Sequence, residues 1–166
     1  SNIQWFRYEF IWSKSRKTGF ANCKKIPLKA HENVCVFYKH LPKYNPQGLL
    51  PCNLNQTRKA SRKGGFFLTE DAGRKSIQTT KNYPTSIIKI KNEHNKNIHP
   101  TQKPVALFEY LIKTYTNEGD LVLDNCIGSG TTAVAAKHLK RNFIGIEISP
   151  EYCEIARQRL RQDILL

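Results

Sequence analysis

The clearest alternation of apolar and polar positions lies in the last third of the chain. Pro104 suits the start of a helix, because the N–H that proline lacks would have no partner there. Apolar residues then recur at helical spacing as far as Tyr115. Gly119 suits the left-handed turn that can end such a helix. The apolar run LVLD at 121–124 predicts a short strand directly after it.

A second strand and two more helices are predicted downstream. Small residues favour a helix from about 131 to 139, and the run NFIGIEI at 142–148 predicts the next strand. Ser149 suits the N-cap of a last helix, with Pro150 at its first position. The order helix, strand, helix, strand, helix indicates a parallel sheet with right-handed crossovers, and therefore an α/β fold.

The N-terminal part has weaker periodicity. Alternating, aromatic-rich residues at 3–12 predict a strand, VCVFY at 34–38 a short buried strand, and TSIIKIK at 85–91 one more. A basic loop is expected at 13–33. Residues 41–86 carry many prolines and glycines and predict a long irregular segment, which in a compact domain is usually functional or mobile.

Charge narrows the class of partner. The 166 residues include 27 Lys and Arg against 13 Asp and Glu, a net charge of +14. Such a field favours nucleic acid as a partner, although a merely solvated basic surface is the alternative. The five cysteines are odd in number and form no C-x-x-C pair, so neither a disulfide framework nor a metal site is expected. Reduced thiols in a cytosolic protein are the simplest interpretation.

Candidate chemistry centres on the turn between the first of these C-terminal strands and the helix after it. Asp124 closes the strand, and Gly128, Ser129 and Gly130 open the helix. Glycines allow positive φ and a close approach of a ligand to the backbone, and the helix N-terminus offers unpaired N–H groups. A phosphate-binding loop would place lysine after the last glycine, but Thr131 stands there. ATP hydrolysis is therefore disfavoured.

A nucleoside with a cationic tail fits the turn better. Glu147 near the end of the next strand can accept hydrogen bonds from both ribose hydroxyls. Asp124 places a carboxylate where a cationic group of the ligand could sit. S-adenosylmethionine is a molecule of this kind, because it joins a nucleoside to a sulfonium and carries no phosphate. A tight strand-to-helix turn without any ligand is the open alternative.

Three motifs then point to a family. HPTQKP at 99–104, DNCIGSGTT at 124–132 and GIEISPEY at 145–152 closely resemble motifs of amino-group DNA methyltransferases. These enzymes methylate the exocyclic amino group of adenine or cytosine. The motif order resembles the circularly permuted β-type arrangement. The strong similarity covers 98–161, and a weaker one covers 9–40. The resemblance implies a Rossmann-like, S-adenosylmethionine-dependent methyltransferase fold.

The resemblance also implies roles for individual residues. The glycine turn would line the methionine end of the cofactor, Glu147 would bind the ribose, and Ile148 would pack on the adenine ring. The HPTQKP motif would form a wall, with Thr101 and Lys103 suited to the methionine carboxylate. The family often has Phe where this chain has Cys126, which removes one apolar contact. The cofactor candidates are His99, Pro100, Thr101, Lys103, Asp124, Cys126, Gly128, Ser129, Gly130, Thr131, Glu147 and Ile148.

One motif of the family is missing. Its members carry D/N/S-P-P-Y/F/W, which holds the target amino group and stacks on the flipped base, but this sequence has no Pro-Pro dipeptide. In the β-type order that motif precedes the residues seen here, and the chain begins with Ser1. We therefore expect a C-terminal portion of a methyltransferase with an incomplete fold, inactive by itself. No catalytic residue is assigned.

The resemblance to this family also implies binding partners. The absence of the strand that carries the motif would expose apolar sheet edge, so we expect pairing with a second chain, with a preceding segment, or with another copy. Double-stranded DNA is the expected substrate, with adenine favoured over cytosine by family habit. Two alternatives remain, namely a non-catalytic nucleic-acid-binding or regulatory module on a degenerate methyltransferase fold, and an RNA-directed relative.

The chain divides into three expected regions. Residues 1–40 would form part of the methyltransferase sheet with a basic loop, 41–97 the target-recognition region, and 98–166 the cofactor-binding half. Basic side chains in the first two regions could contact phosphates, which fixes register without reading sequence. These DNA-binding candidates are Lys14, Arg16, Lys17, Lys24, Lys25, Arg58, Lys59, Arg62, Lys63, Arg74 and Lys75.

Overall fold

The computed structural model describes residues 3–57, 75–92 and 102–162. The chain forms two compact units, one made of Ser1–Asn45 with Thr85–Leu166, the other of Pro46–Pro84. Among the described residues no helix is long and apolar enough to cross a membrane. All five cysteines are free thiols, and Cys23, Cys35 and Cys126 are exposed.

A three-stranded sheet forms the first part of the larger unit. Strand β1 (Phe6–Thr18) lies in the middle, antiparallel to β2 (Lys29–Phe37) and parallel to β5 (Ile87–Lys89). Trp12 sits at the centre of β1 and pairs with a residue on each neighbouring strand. Its side chain is only 2% exposed, and its indole Nε1 donates a hydrogen bond of 2.8 Å to the carbonyl of Ile90.

The hairpin of β1 and β2 corrects the basic loop expected at 13–33. Strand β1 continues to Thr18, and β2 already starts at Lys29, five residues before the predicted strand at 34–38. The side chains of β2 alternate between exposed and half-buried along its whole length. Charged residues are therefore compatible with both strands, because one face of each meets water while the backbone ladder satisfies the N–H and C=O groups.

The C-terminal elements confirm the predicted helix and strand order. Ser149 caps the last helix as expected, because its Oγ accepts a hydrogen bond from the Tyr152 N–H at 3.4 Å. The second strand ends at Gly145, earlier than the predicted run. The first helix ends at Tyr115 with Thr116 as its C-cap, so Gly119, with a positive φ of 82°, lies in the loop before the next strand and does not end the helix as predicted. The elements are α1 (Val105–Tyr115), β6 (Leu121–Asp124), α2 (Thr131–His138), β7 (Asn142–Gly145) and α3 (Pro150–Gln162). Strands β6 and β7 are parallel, as the order requires.

Helix α1 packs against both sheets of the larger unit. Leu107 belongs to the hydrophobic cluster around Phe10, Trp12 and Ile88 of the three-stranded sheet. Ile112, a little more than one turn later, packs with the small residues of α2 and with β6. These contacts make α1 the element that connects the two sheets, and its C-terminal part leads directly into β6.

The smaller unit corrects the prediction of an irregular segment at 41–86. Strands β3 (Leu50–Thr57) and β4 (Lys75–Lys81) form an antiparallel hairpin in this unit. Pro51 lies within β3, and the register shifts between Pro51 and Leu54. A proline normally argues against a strand, because it cannot donate to the ladder, and this explains why the sequence pattern concealed one. Five of the DNA-binding candidates lie outside the described residues, namely Arg58, Lys59, Arg62, Lys63 and Arg74.

Candidate cofactor-binding site

The turn after β6 is held together by the carboxylate that ends the strand. Oδ1 of Asp124 accepts a hydrogen bond from the Cys126 N–H at 3.0 Å. Oδ2 accepts one from Thr132 Oγ1, in the first turn of α2, at 2.5 Å. Asp124 thus fixes both ends of the turn, and each of its oxygens keeps a second lone pair that a ligand can use.

The second glycine of the turn occupies a position that only glycine fits. Gly130 has φ of +83°, a left-handed conformation that side chains rarely adopt. A Cβ added there would lie 2.7 Å from the Cβ of Ala156 in α3. The turn therefore lies directly against α3, and the glycine that the sequence singled out for ligand approach is also required by packing.

Glu147 joins the ends of the two parallel strands. Its Oε2 accepts a hydrogen bond from the Gly128 N–H, and its Oε1 accepts one from the Ser149 N–H, both at 2.9 Å. Backbone pairing continues beyond the strands, since the Ile127 N–H donates to the Ile146 carbonyl at 3.0 Å. Hydrogen bonds to an ionised carboxylate are among the stronger ones in proteins. The carboxylate therefore lies beside the glycine turn, at the carboxyl ends of β6 and β7.

A cleft of about 110 Å³ opens beside this turn. It contains six predicted cofactor residues, namely Lys103, Asp124, Cys126, Gly128, Ser129 and Thr131. Four further lining residues were missed by the sequence analysis, namely Gln102, Phe108, Ile127 and Thr132. Three of the four lie within the quoted motifs, but which side chains face the cleft is decided by the fold. Clefts at the carboxyl ends of parallel strands are the usual ligand sites of α/β sheets.

The remaining predicted residues are placed differently. His99, Pro100 and Thr101 lie outside the described residues. Gly130 and Glu147 support the turn as described above. Ile148 follows Glu147 and is 97% exposed, so its side chain is accessible to a flat apolar ligand surface.

Lys103, just before α1, lies at the cleft and contacts the three-stranded sheet. Its Nζ lies 3.2 Å from Oε2 of Glu32, and the Nζ of Lys14 lies 3.1 Å from Oε1 of the same carboxylate. Burial raises the pKa of the Glu32 carboxyl, but the hydrogen bonds and charges of the two lysines outweigh it and hold the pKa below the usual 4.5. Glu32 was not singled out in the sequence, because pairing across strands decides its neighbours.

The described basic candidates separate into two environments. The side chain of Lys14 is only 5% exposed, and its ammonium is engaged by Glu32 and by Thr18 Oγ1 at 3.3 Å. Four others lie at the end of β1 or in the connection to β2 and are exposed, namely Arg16, Lys17, Lys24 and Lys25. Lys75 is the first residue of β4 in the smaller unit.

Comparison with known proteins identifies relatives of this arrangement. The chain is 47% identical over 81 residues to the type II methyltransferase M.HpaI of Haemophilus parainfluenzae, a match that covers 46% of this chain and 26% of that protein. It is 55% identical over 65 residues to M2.DpnII of Streptococcus pneumoniae, covering 39% and 24% respectively. The matched region thus spans about a quarter of these curated relatives.

Solved structures share the fold over most of the chain. A complex of M1.HpyAVI with S-adenosylmethionine superposes with a TM-score of 0.59 and 30% identity, covering 93% of this chain and 62% of that one. The PvuII DNA methyltransferase, described as cytosine-N4-specific, gives a TM-score of 0.60 at 24% identity, which shows the fold alone. The expected Rossmann-like methyltransferase fold is therefore confirmed.

The family profile described as "DNA methylase", which covers the N6 and N4 amino-methylating enzymes, matches residues 2–158. This range includes nearly all of the described residues, so the match does not rest on the glycine turn alone. The enzymes of this group take their methyl group from S-adenosylmethionine. The chain belongs to the amino-group DNA methylase family, as its three motifs predict.

Proposed function

We propose that this chain supplies the S-adenosylmethionine site and part of the DNA-contacting surface of a DNA methyltransferase. The cofactor would occupy the cleft beside the glycine turn, with its methionine end against Ser129 and its ribose near Glu147. The observation that carries the proposal is the position of Glu147, whose carboxylate is fixed by two backbone N–H groups at the edge of the turn. A carboxylate fixed there is preorganised to accept ribose hydroxyls.

Charges around the cleft suit the rest of the cofactor. The carboxylate of Asp124 lines the cleft and would favour a cationic sulfonium or ammonium group. The ammonium of Lys103 lies on the same cleft and would attract the methionine carboxylate. Ile148 and its exposed side chain would cover one face of the adenine ring. A phosphate would find no such arrangement, since Thr131 stands where a phosphate-binding loop carries its lysine.

The exposed lysines and arginine at the β1–β2 connection support a DNA-contacting role. Arg16, Lys17, Lys24 and Lys25 all present cationic side chains to solvent within one short stretch of chain. Such a group neutralises phosphates and fixes the duplex without reading its sequence. Lys14 has no place in this surface, because its side chain is almost buried beside Glu32. Lys75 and the basic candidates of the smaller unit would extend the same function.

The target is proposed to be the exocyclic amino group of adenine. That nitrogen is a poor nucleophile, because its lone pair is delocalised into the ring, so transfer requires acceptors for its hydrogens and a stacking partner for the base. The sequence of this chain contains no Pro-Pro dipeptide of the kind that supplies them. We therefore propose that the chain transfers no methyl group unless another segment or polypeptide provides that motif.

Calorimetric titration with S-adenosylmethionine tests the cofactor site. Wild-type protein is expected to bind, and Glu147→Ala to bind at least about 10-fold more weakly, as expected when hydrogen bonds to a charged group worth ~1.5–3 kcal/mol are lost. Glu151→Ala provides a matched control, because Glu151 is an exposed carboxylate in the first turn of α3, close in sequence.

Two results would contradict the proposal. One is the absence of binding to wild-type protein with an intact fold by circular dichroism. The other is equal affinity of wild type and Glu147→Ala, since the ribose contact is the part of the site on which the assignment depends. Equal losses in Glu147→Ala and Glu151→Ala would likewise show a general charge effect rather than a ribose contact.

A further inference from the structure

Arg159 of α3 contacts the glycine turn of the candidate site. Its Nη1 donates to the carbonyl oxygen of Ser129 at 2.7 Å, and it lies 3.2 Å from both Ser129 Oγ and Thr131 Oγ1. The three acceptors belong to the residues on either side of Gly130. One guanidinium group therefore spans the left-handed position of the turn.

Helix α3 supports the turn at a second point. Ala156, one turn before Arg159, is 8% exposed and lies so close to Gly130 that an added Cβ would approach it to 2.7 Å. The turn thus rests on a small residue and is hydrogen-bonded by a long cationic one. Both contacts come from the same face of α3, because positions three apart lie next to each other on a helix.

The residues that Arg159 contacts also line the cleft. Ser129 and Thr131 line the cleft together with Gln102, whose Oε1 lies 3.4 Å from Ser129 Oγ. Arg159 is not among the residues that line it. A displacement of Ser129 would therefore change the wall of the cleft, and Arg159 hydrogen-bonds Ser129 without lining the cleft itself.

We propose that Arg159 is a positioning residue of the cofactor site, which fixes the Ser129–Thr131 turn without touching the cofactor. The inference rests on the proposed site in the cleft. Its physical basis is that all three contacts come from Nη1, which the rigid plane of the guanidinium holds in place, whereas a lysine ammonium is a flexible point charge. Substitution leaves the Ser129 carbonyl without this charged donor, so the turn can relax away from the geometry that the methionine end requires.

Two ligands separate this role from a general loss of structure. S-adenosylhomocysteine carries the amino-acid end, whereas 5′-methylthioadenosine has the nucleoside and lacks the amino and carboxyl groups. Arg159→Gln is expected to weaken S-adenosylhomocysteine about 10-fold, the effect of losing one charged hydrogen bond, and to change 5′-methylthioadenosine less than about 2-fold. Affinities are measured by calorimetry, and thermal unfolding is followed in parallel.

Two further variants sharpen the test. Arg159→Lys keeps the charge but not the planar donors, so we expect an intermediate loss, and this variant keeps the test decisive if Arg159→Gln fails to fold. Arg157→Gln is the matched control, because Arg157 is 64% exposed on the same helix and lies 3.6 Å from Glu154. It is expected to leave both affinities unchanged.

The inference is overturned if Arg159→Gln and Arg159→Lys bind S-adenosylhomocysteine as wild type does. It is also overturned if they weaken both ligands equally, because that result indicates a structural role for the arginine. Failure of wild-type protein to bind either ligand would overturn the cofactor site itself, and the positioning role with it. These outcomes distinguish an error in the inference from an error in the proposed function.

Discussion

The two sheets joined by α1 are buried to very different extents. In the three-stranded sheet, Phe10 and Trp12 are 4% and 2% exposed and pack against Leu107. Among the described residues, the β6–β7 sheet is covered on one face, where Val122 packs beside Ile112 and α2. On the other face, the apolar side chains of Leu121, Leu123 and Ile144 are 59%, 64% and 50% exposed.

The register shows that this exposure belongs to one continuous surface. Leu121 and Leu123 are two residues apart and so point to the same side of the strand, and Leu123 pairs directly with Ile144 of β7. Parallel sheets are normally covered on both faces, and for that reason their strands are apolar throughout. The sheet with the most buried aromatic residues and the sheet that carries the site are therefore different, and in the described part of the chain the second sheet has an exposed apolar face.

The largest expected contrast is in stability. Trp12→Ala should lower the free energy of unfolding by about 3–5 kcal/mol, because it leaves a cavity in the buried cluster. The Ile90 carbonyl would also lose its indole donor. At protein concentrations low enough to keep the chain monomeric, Leu123→Ala should change the free energy by only about 0.5 kcal/mol, as for other exposed positions. Urea unfolding followed by circular dichroism measures both. Similar losses in the two variants under these monomeric conditions would show that another part of the same chain covers the second face.

A smaller effect is expected on association. The wild-type chain should sediment as a dimer or a larger species, because copies can bury the face of Leu123 and Ile144 against each other. The double variant Leu123→Lys, Ile144→Lys should shift the chain towards monomer. Leu41→Lys, at an apolar residue of the same unit that is 84% exposed, should leave the distribution unchanged. A monodisperse wild-type monomer in sedimentation velocity would contradict this expectation.

The smallest effect concerns the ion pairs at the edge of the three-stranded sheet. The pKa of Glu32 is lower in the folded protein than the ordinary 4.5. Its charge therefore stabilises the fold above about pH 4.5, and this contribution is lost as the pH falls through the folded-state pKa. The stability difference between wild type and Glu32→Gln should be constant near neutrality and shrink below about pH 4.5. A difference that stays constant down to pH 3 in acid unfolding curves would show that the pairs do not contribute.

Sequence periodicity predicted the C-terminal elements well and the N-terminal ones poorly. Helices α1 to α3 have local signals, such as Pro104 before α1 and Ser149 before α3, and the structure follows them. The β1–β2 hairpin and the strand containing Pro51 depend on pairing between distant residues, which periodicity does not detect. The candidate site shows the same contrast. The glycine turn could be predicted from the sequence, but the positions of Phe108 at the cleft and of Arg159 beside the turn could not.

The sequence alone determined the family, through its three motifs. It also determined the local form of the turn, because Asp124 and Gly130 act on the backbone beside them. The tertiary structure decided which side chains come together. It placed Lys103 beside Glu32 of the three-stranded sheet. It brought Arg159 into contact with Ser129, 30 residues away in the chain, and it left apolar residues of β6 and β7 exposed on one face. These contacts depend on how helices and strands pack, since residues far apart in the chain become neighbours only when the hydrophobic clusters on α1 are formed.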